Sequence, residues 1–177
     1  QEQVDLDAER IGELLMTHGA IEVYVADNYT TQERVWAVRR NIAEAFKVYC
    51  PVQSIEDVVV PFAQIPDLVP ELERLSQRYN VILPTCGHAG DGNLHIIIVK
   101  RPETPLEEWP EVEHAAQAEL YQVVARLGGT ISGEHGIGSK RRGFMPLMMG
   151  ETLLGLQRRI KDAFDPNGVL NPGKIFP

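Results

Sequence analysis

Hydrophobic positions along this chain recur with two periods, and the alternation between them outlines the fold. Ile11, Leu14, Leu15 and His18 follow the 3.6-residue repeat of one helix face, so residues 5–18 read as a helix that Gly19 stops. Residues 21–26 (IEVYVA) alternate as a strand does. Val35, Val38, Ile42, Phe46 and Tyr49 form a second helical stripe behind a capping box of Thr30 and Glu33. EDVVVP at 56–61 reads as a strand. Leu68, Leu72, Leu75 and Tyr79 mark the next helix, with Pro66 or Pro70 in its first turn, where a missing N–H is harmless. Apolar runs at 81–87 and 93–99 flank a turn signal made of Gly87, Gly90, Asp91 and Gly92, which predicts a hairpin. Trp109, Val112, Ala116, Leu120, Val123 and Leu127 outline a helix opened by Thr104, Pro105 and Glu107. Residues 129–132 are the last strand and Leu153, Leu156, Ile160 and Phe164 the last helix. The closing DPNGVLNPGKIFP is turn chemistry and is expected to be irregular.

The order is strand, helix, strand, helix, strand, strand, helix, strand. Tandem strands at the hairpin break strict β/α alternation. The expected fold is therefore α+β: a mainly antiparallel sheet with helices packed on one face, ferredoxin-like rather than Rossmann-like. With 177 residues the chain can bury a sizeable core as one domain, 1–177. A composition of 44% hydrophobic and 24% charged residues is that of a soluble globular protein. No apolar run approaches the roughly 18 residues of a membrane span. A net charge of −8 argues against a nucleic-acid partner. Two cysteines, Cys50 and Cys86, make no disulfide framework, so a reducing, cytoplasmic setting is expected. The chain opens on Gln1 rather than Met, which suggests a piece of something longer.

The hairpin holds the candidate chemistry. If Asp91-Gly92 is its two-residue loop, as that dipeptide favours, His88 faces His95. Opposed Cβ atoms lie about 4.5–5.5 Å apart, close enough for two imidazoles to share a metal ion. Zinc and its transition-metal neighbours suit such ligands. The second Gly-rich stretch, GGTISGEHGIG at 128–138, offers Glu134 as a third ligand and His135 beside it. Two His and one carboxylate leave a coordination position open for substrate or water. The alternatives are histidines that merely fill polar positions beside a turn, and a surface Glu-His pair. Asn93 has the parity of His95 and shares its face, unless it simply supports the turn. Arg39 interrupts an apolar helix face, either with its head snorkelling to water or as a guanidinium gripping a carboxylate. Cys86 is read as a buried thiol or a soft ligand, and the Met residues of 145–149 as core or as the lining of an apolar cofactor surface. GEHGIG has neither a Walker ending nor dinucleotide spacing.

Three motifs together, GHAGDGNLH, ISGEHGIGSKR and FDPNGVLNPGKIF, resemble the C-terminal half of FAD-linked oxidases of the vanillyl-alcohol-oxidase superfamily. The nearest members are the D-2-hydroxyacid dehydrogenases: D-lactate dehydrogenase, the D-subunit of glycolate oxidase and D-2-hydroxyglutarate dehydrogenase. With EDVVVP and the Trp36-to-Arg39 segment, the resemblance covers nearly the whole chain. It implies that His88, His95 and Glu134 bind a divalent metal, that His135 is the catalytic base and that Asn93 lies beside the substrate. It further implies that Arg39 binds the substrate carboxylate and Asn171 approaches the flavin. Relatives acting on D-2-hydroxyglutarate carry a Lys six residues before the strand-ending Pro. Here that place is Ile55, which leans towards a small monocarboxylate.

The implied function is metal-assisted oxidation of D-lactate or glycolate to the 2-oxo acid, with hydride transfer to FAD. The family holds FAD mainly through an N-terminal domain with its own Gly-rich loop, and nothing like it is present in this sequence. Implied partners are that domain and an electron-transfer subunit or flavoprotein, in the cytoplasm or peripheral to the inner face of the membrane. Two rival readings are a flavin-free metallohydrolase on the same His, His and Glu, and a non-catalytic binding module.

Overall fold

A computed structural model describes residues 2–177, the side chain of Ala43 excepted. The chain divides into two compact units, Gln1–Phe46 and Lys47–Pro177. The first holds α1 (Glu2–Thr17) and most of α2 (Tyr29–Tyr49). Gly19 ends α1 as expected, its N–H reaching the Met16 carbonyl at 3.1 Å. The cap of α2 is Asn28 rather than Thr30. Its side-chain oxygen accepts the Thr31 N–H at 3.0 Å, so the helix starts before the expected box and Thr30 already lies inside it. The expected strand at 21–26 is absent. Alternation makes a strand only where a neighbour completes the ladder; IEVYVA has no such partner among the described residues, and Ile21 is 98% exposed.

The second unit carries an open antiparallel sheet of β1 (Gln53–Val59), β2 (Val81–Ile82), β3 (Thr85–His88) and β4 (Asn93–Lys100). β4 pairs with β1 on one side and with β2 and β3 on the other. Leu83 and Pro84 split the first arm of the hairpin into two strands; Pro84 has no N–H to give, but its carbonyl accepts from Ile97 at 3.0 Å. The expected strand 129–132 shrinks to one bridge, Thr130 to Val59, with N–O distances of 2.8 and 2.9 Å. The crossovers are α3 (Ile65–Tyr79), between β1 and β2, and α4 (Trp109–Arg126), between β4 and Thr130. The result is the α+β, ferredoxin-like order that the tandem strands predicted. α4 starts at Trp109, later than the box at Thr104 and Glu107, and Pro110 takes the first-turn place foreseen for Pro105. Two further helices follow, α5 (Met145–Met148) and α6 (Glu151–Phe164), before an irregular end.

Helices α3 and α4 cover one face of the sheet. Leu68, Leu72 and Leu75 meet Leu120, Val123 and Val124 over Val58, Leu94 and Ile96. Each buried aliphatic side chain contributes about 1.5–3 kcal/mol. Met145 is buried, as its core reading required. Directly paired residues of antiparallel strands share a face. Val58 with Leu94 therefore points to the helices, whereas Asp57, His95 and Cys86 form a row on the opposite face, next to the row of Val59, Asn93 and His88.

Candidate functional site

The hairpin differs from expectation by two residues of register. His88 pairs with Asn93, and the residue opposite His95 is Cys86. A two-residue turn of the expected type needs positive φ at both central positions, but here only Gly92 has it (φ +79). The chain takes a four-residue loop, 89–92, instead. The Asp91 and Gly92 N–H groups converge on the His88 carbonyl, and Asp91 Oδ1 accepts the Asn93 N–H at 3.0 Å. Gly92 is required twice over: a Cβ there would lie 1.9 Å from the Val60 carbonyl oxygen. Because the slip is even, parity survives. His88 and His95 stay on one face as diagonal neighbours, with ring centroids 5.8 Å apart.

Glu134 joins them from the second Gly-rich stretch. Its carboxylate lies 3.5 Å from His88 Nε2 and 3.9 Å from His95 Nε2. His135 follows on the same loop, its ring centroid 5.5 Å from that of His95. Gly133 lets this loop approach the sheet. A Cβ at 133 would come within 2.7 Å of Val59 and 2.8 Å of Asn93.

Asp57 of β1 holds the loop from beneath. One of its oxygens, Oδ2, accepts the Ser132 hydroxyl at 3.2 Å and the backbone N–H groups of Gly133, Glu134 and His135 at 3.0, 2.8 and 2.7 Å. Burial alone pushes this carboxyl up, but the donors from His135, Glu134, Ser132 and Gly133 together outweigh it and hold it below the ordinary aspartate range. The motif reading of EDVVVP passed over Asp57. The available signal was two adjacent acids, Glu56 and Asp57, in an otherwise apolar strand. Neighbours on a strand face opposite sides, so each acid had to find its own partners. Glu56 finds Lys140 at 2.6 Å, Tyr121 at 2.5 Å and Gln117 at 3.1 Å on the helix face.

The ligand atoms of His88, His95 and Glu134 all lie within 4.8 Å of one another, and so do those of Asp57, His95 and His135. Donors sharing one ion at about 2.1 Å each sit within roughly 4.2 Å of each other. The two Nε2-to-carboxylate distances, 3.5 and 3.9 Å, fall inside that limit. Two neutral imidazoles and a carboxylate are a donor set for zinc or a neighbouring transition metal, and the residues fit such an ion. His95 is largely enclosed, while Glu134 is half exposed, so the cluster opens towards its Glu134 side.

Asn93 is buried in the row beside the cluster, with its side-chain oxygen unpartnered. Ile55 shares the cluster's face of β1 and is 40% exposed. Cys86 is half-buried next to His95. Asn171 lies exposed in the closing turn at φ +47. That turn is tied to the second Gly-rich stretch by Ile175 N–H to Gly138 O at 2.8 Å and by Arg142 to Gly173 O at 2.9 Å. Arg39 is exposed on α2 and belongs to the first unit.

Residues 1–175 match the family described as FAD linked oxidases, C-terminal domain. Over 177 residues the chain is 33% identical to the glycolate oxidase subunit GlcD of Escherichia coli (strain K12), a match covering 100% of this chain and 35% of that protein. The Bacillus subtilis (strain 168) protein of the same name is 33% identical over 180 residues, 99% of this chain and 37% of that one. A D-lactate dehydrogenase of Archaeoglobus fulgidus is 36% identical over 171 residues, 96% of this chain and 36% of that one. The chain thus spans just over a third of the length of these curated relatives.

Proposed function

The chain belongs to the family of FAD-linked oxidase C-terminal domains, and from that premise we propose that it is the substrate-side domain of an FAD-dependent 2-hydroxyacid dehydrogenase. The observation that carries this reading is the convergence of His88, His95 and Glu134 with His135 on the adjoining loop. The substrate class is D-lactate or glycolate, oxidised to the 2-oxo acid. Exposed Ile55 on the site face supports a monocarboxylate, since it brings no second cation.

His88, His95 and Glu134 would hold a divalent metal, which when bound would supply the positive charge that makes the substrate hydroxyl more acidic. FAD, carried mainly by a separate N-terminal domain, supplies the hydride acceptor. His135 takes the hydroxyl proton as general base. Its backbone N–H on Asp57 keeps the loop, and with it the ring, against the sheet. Arg39 grips the substrate carboxylate with two hydrogen bonds, which orients the Cα–H. Asn93 lines the substrate position and Asn171 the flavin side. The further partner this reading calls for is an electron-transfer subunit or flavoprotein. No helix among the described residues is long and apolar enough to cross a membrane.

The test uses the whole FAD-bound enzyme. His135→Ala is expected to lower kcat by about 10²–10⁴-fold with a much smaller change in KM. Chelation should abolish turnover, and zinc or a neighbouring metal should restore it. Near-normal turnover in the variant would remove His135 from the chemistry. A colourless full-length protein with hydrolytic activity would replace the dehydrogenase reading by the hydrolase one.

A further inference from the structure

Asp57 is divided between two tasks. Oδ2 is saturated by the four donors of the 132–135 loop. Oδ1 is buried and accepts no hydrogen bond. The atom facing it is His95 Nδ1, 3.9 Å away, also buried and also unpartnered. Asp57 and His95 are directly paired across β1 and β4, so the two side chains stand side by side on one face. We propose that Asp57 is a positioning residue: it fixes His95 as the Nδ1–H tautomer, with the Nε2 lone pair turned towards His88 and Glu134, while its other oxygen anchors the loop bearing Glu134 and His135. The proposal rests on the metal-site reading given above.

Energetics choose between the two neutral tautomers. With the proton on Nδ1, a donor faces Oδ1, and a ring shift of about 1 Å from the 3.9 Å separation completes a charge-assisted hydrogen bond. With the proton on Nε2, two lone pairs face each other in a buried setting, and each unmet group costs about 1–3 kcal/mol. The Nε2–H would then face Glu134, whose half-exposed carboxylate is served by water and gains little. The buried partner therefore decides. The same choice leaves Nε2 free as a ligand atom, which is how a carboxylate behind a metal-binding His acts. One aspartate in this way sets the direction of a ligand on β4 and the position of a loop some 40 residues downstream of it.

Asp57→Asn separates the two tasks. Three backbone N–H groups and a hydroxyl demand the amide oxygen, so the amide NH2 must point at His95 Nδ1. That reverses the tautomer and leaves the loop anchored. The first measurement is the 15N–1H correlation spectrum of the imidazoles in the metal-free full chain at about pH 8.5, above the ordinary imidazole range. The His95 signal is identified by its loss in His95→Gln. The wild-type chain should show Nδ1–H at His95 and D57N should show Nε2–H. The second measurement is zinc affinity by chelator competition, expected to fall about 10–100-fold in D57N. A purely structural role would lower the thermal midpoint while leaving the tautomer and the zinc affinity unchanged, and that result overturns the proposal. Nε2–H in the wild-type chain also overturns it and needs no variant, so the test stands even where D57N fails to fold. A wild-type chain with Nδ1–H at His95 that binds no zinc sinks the metal reading instead and leaves the Asp57–His95 assignment in place.

Discussion

Gly92 shows how single residues set this site. Its φ of +79 is open to glycine and strained for other residues, and the space a Cβ needs is filled by the Val60 carbonyl, a backbone atom that cannot rotate aside. The Val60 N–H also donates to the Gly92 carbonyl at 3.1 Å. Gly92→Ala must therefore open the loop from β1, at an expected cost of about 2–4 kcal/mol from strain and overpacking together. A shift of the urea midpoint measures it; an unchanged midpoint would show that the loop relaxes without resistance. The histidine pair teaches a related point. Asp91-Gly92 advertised a two-residue turn, but Asp91 lacks the positive φ that such a turn needs, and the register moved by two. Side chains alternate with period two, so the two imidazoles stay on one face although His88 does not face His95. An odd slip would have sent His88 to the helix side. Asp57 was the harder residue to see. Its partners are backbone N–H groups of a loop about 75 residues away, and backbone groups carry no sequence signature.

At the scale of elements, the second Gly-rich stretch is bolted to β1 on both faces of the strand. Below the site face, Glu56 meets Lys140 at 2.6 Å and Tyr121, while buried Arg141 reaches the Tyr121 hydroxyl at 3.1 Å, Gly136 O at 2.9 Å and Ile55 O at 3.2 Å. Burial, with the Glu56 charge beside it, drives the Tyr121 hydroxyl far above the ordinary tyrosine range, so it stays protonated and donates to Glu56. Removing one member of a buried ionic group strands the others. Glu56→Ala is expected to cost about 3–5 kcal/mol, and Lys140→Ala, whose side chain is partly exposed, clearly less. Equal effects in chemical denaturation would mean that the group is not coupled in this way. Elements whose partners are near in sequence or strongly patterned were legible: the α3 stripe of Leu68, Leu72 and Leu75, and the apolar run of β4. IEVYVA and 129–132 were not, because a strand is defined by its neighbour's hydrogen bonds, and alternation reports only which side chains are apolar. The caps failed for a similar reason. Asn28 and Pro110 compete with Thr30 and Pro105 within a few residues, and the composition of these stretches does not rank them.

Across the whole molecule, three carboxylates anchor separate parts of the second unit, and each is held below its ordinary range. Asp57 clamps the site loop. Glu119 accepts from Tyr79 and pairs with Arg74 and Arg78, tying α4 to α3; the Tyr79 hydrogen bond is the largest influence on it, with both arginines adding. Asp165 pairs with Lys161 and accepts the Val169 and Leu170 N–H groups, each at 2.9 Å, folding the closing turn that carries Asn171; Lys161 is the main cause of its depression. A carboxylate whose folded-state pKa is depressed contributes stability above its unfolded pKa, and that contribution is lost as pH falls through the folded value. All three act in the same direction, so their stabilisation is fully present near neutrality and is lost together on the acid side. Stability should be flat from about pH 7 to pH 5 and fall steeply below roughly pH 4. Glu119→Gln and Asp165→Asn keep acceptors in place but remove the titrating proton. Each variant should be less stable than the parent at pH 7 and converge on it as pH falls through the depressed folded-state pKa. Urea midpoints followed across that pH range test the argument. Parallel curves for parent and variants would show that these carboxylates do not govern the acid limb. Loss of the Asp165 turn at low pH should also precede loss of the sheet, because two backbone N–H groups and one lysine hold the turn, whereas β1 and β4 are held by a full antiparallel ladder and a buried apolar layer.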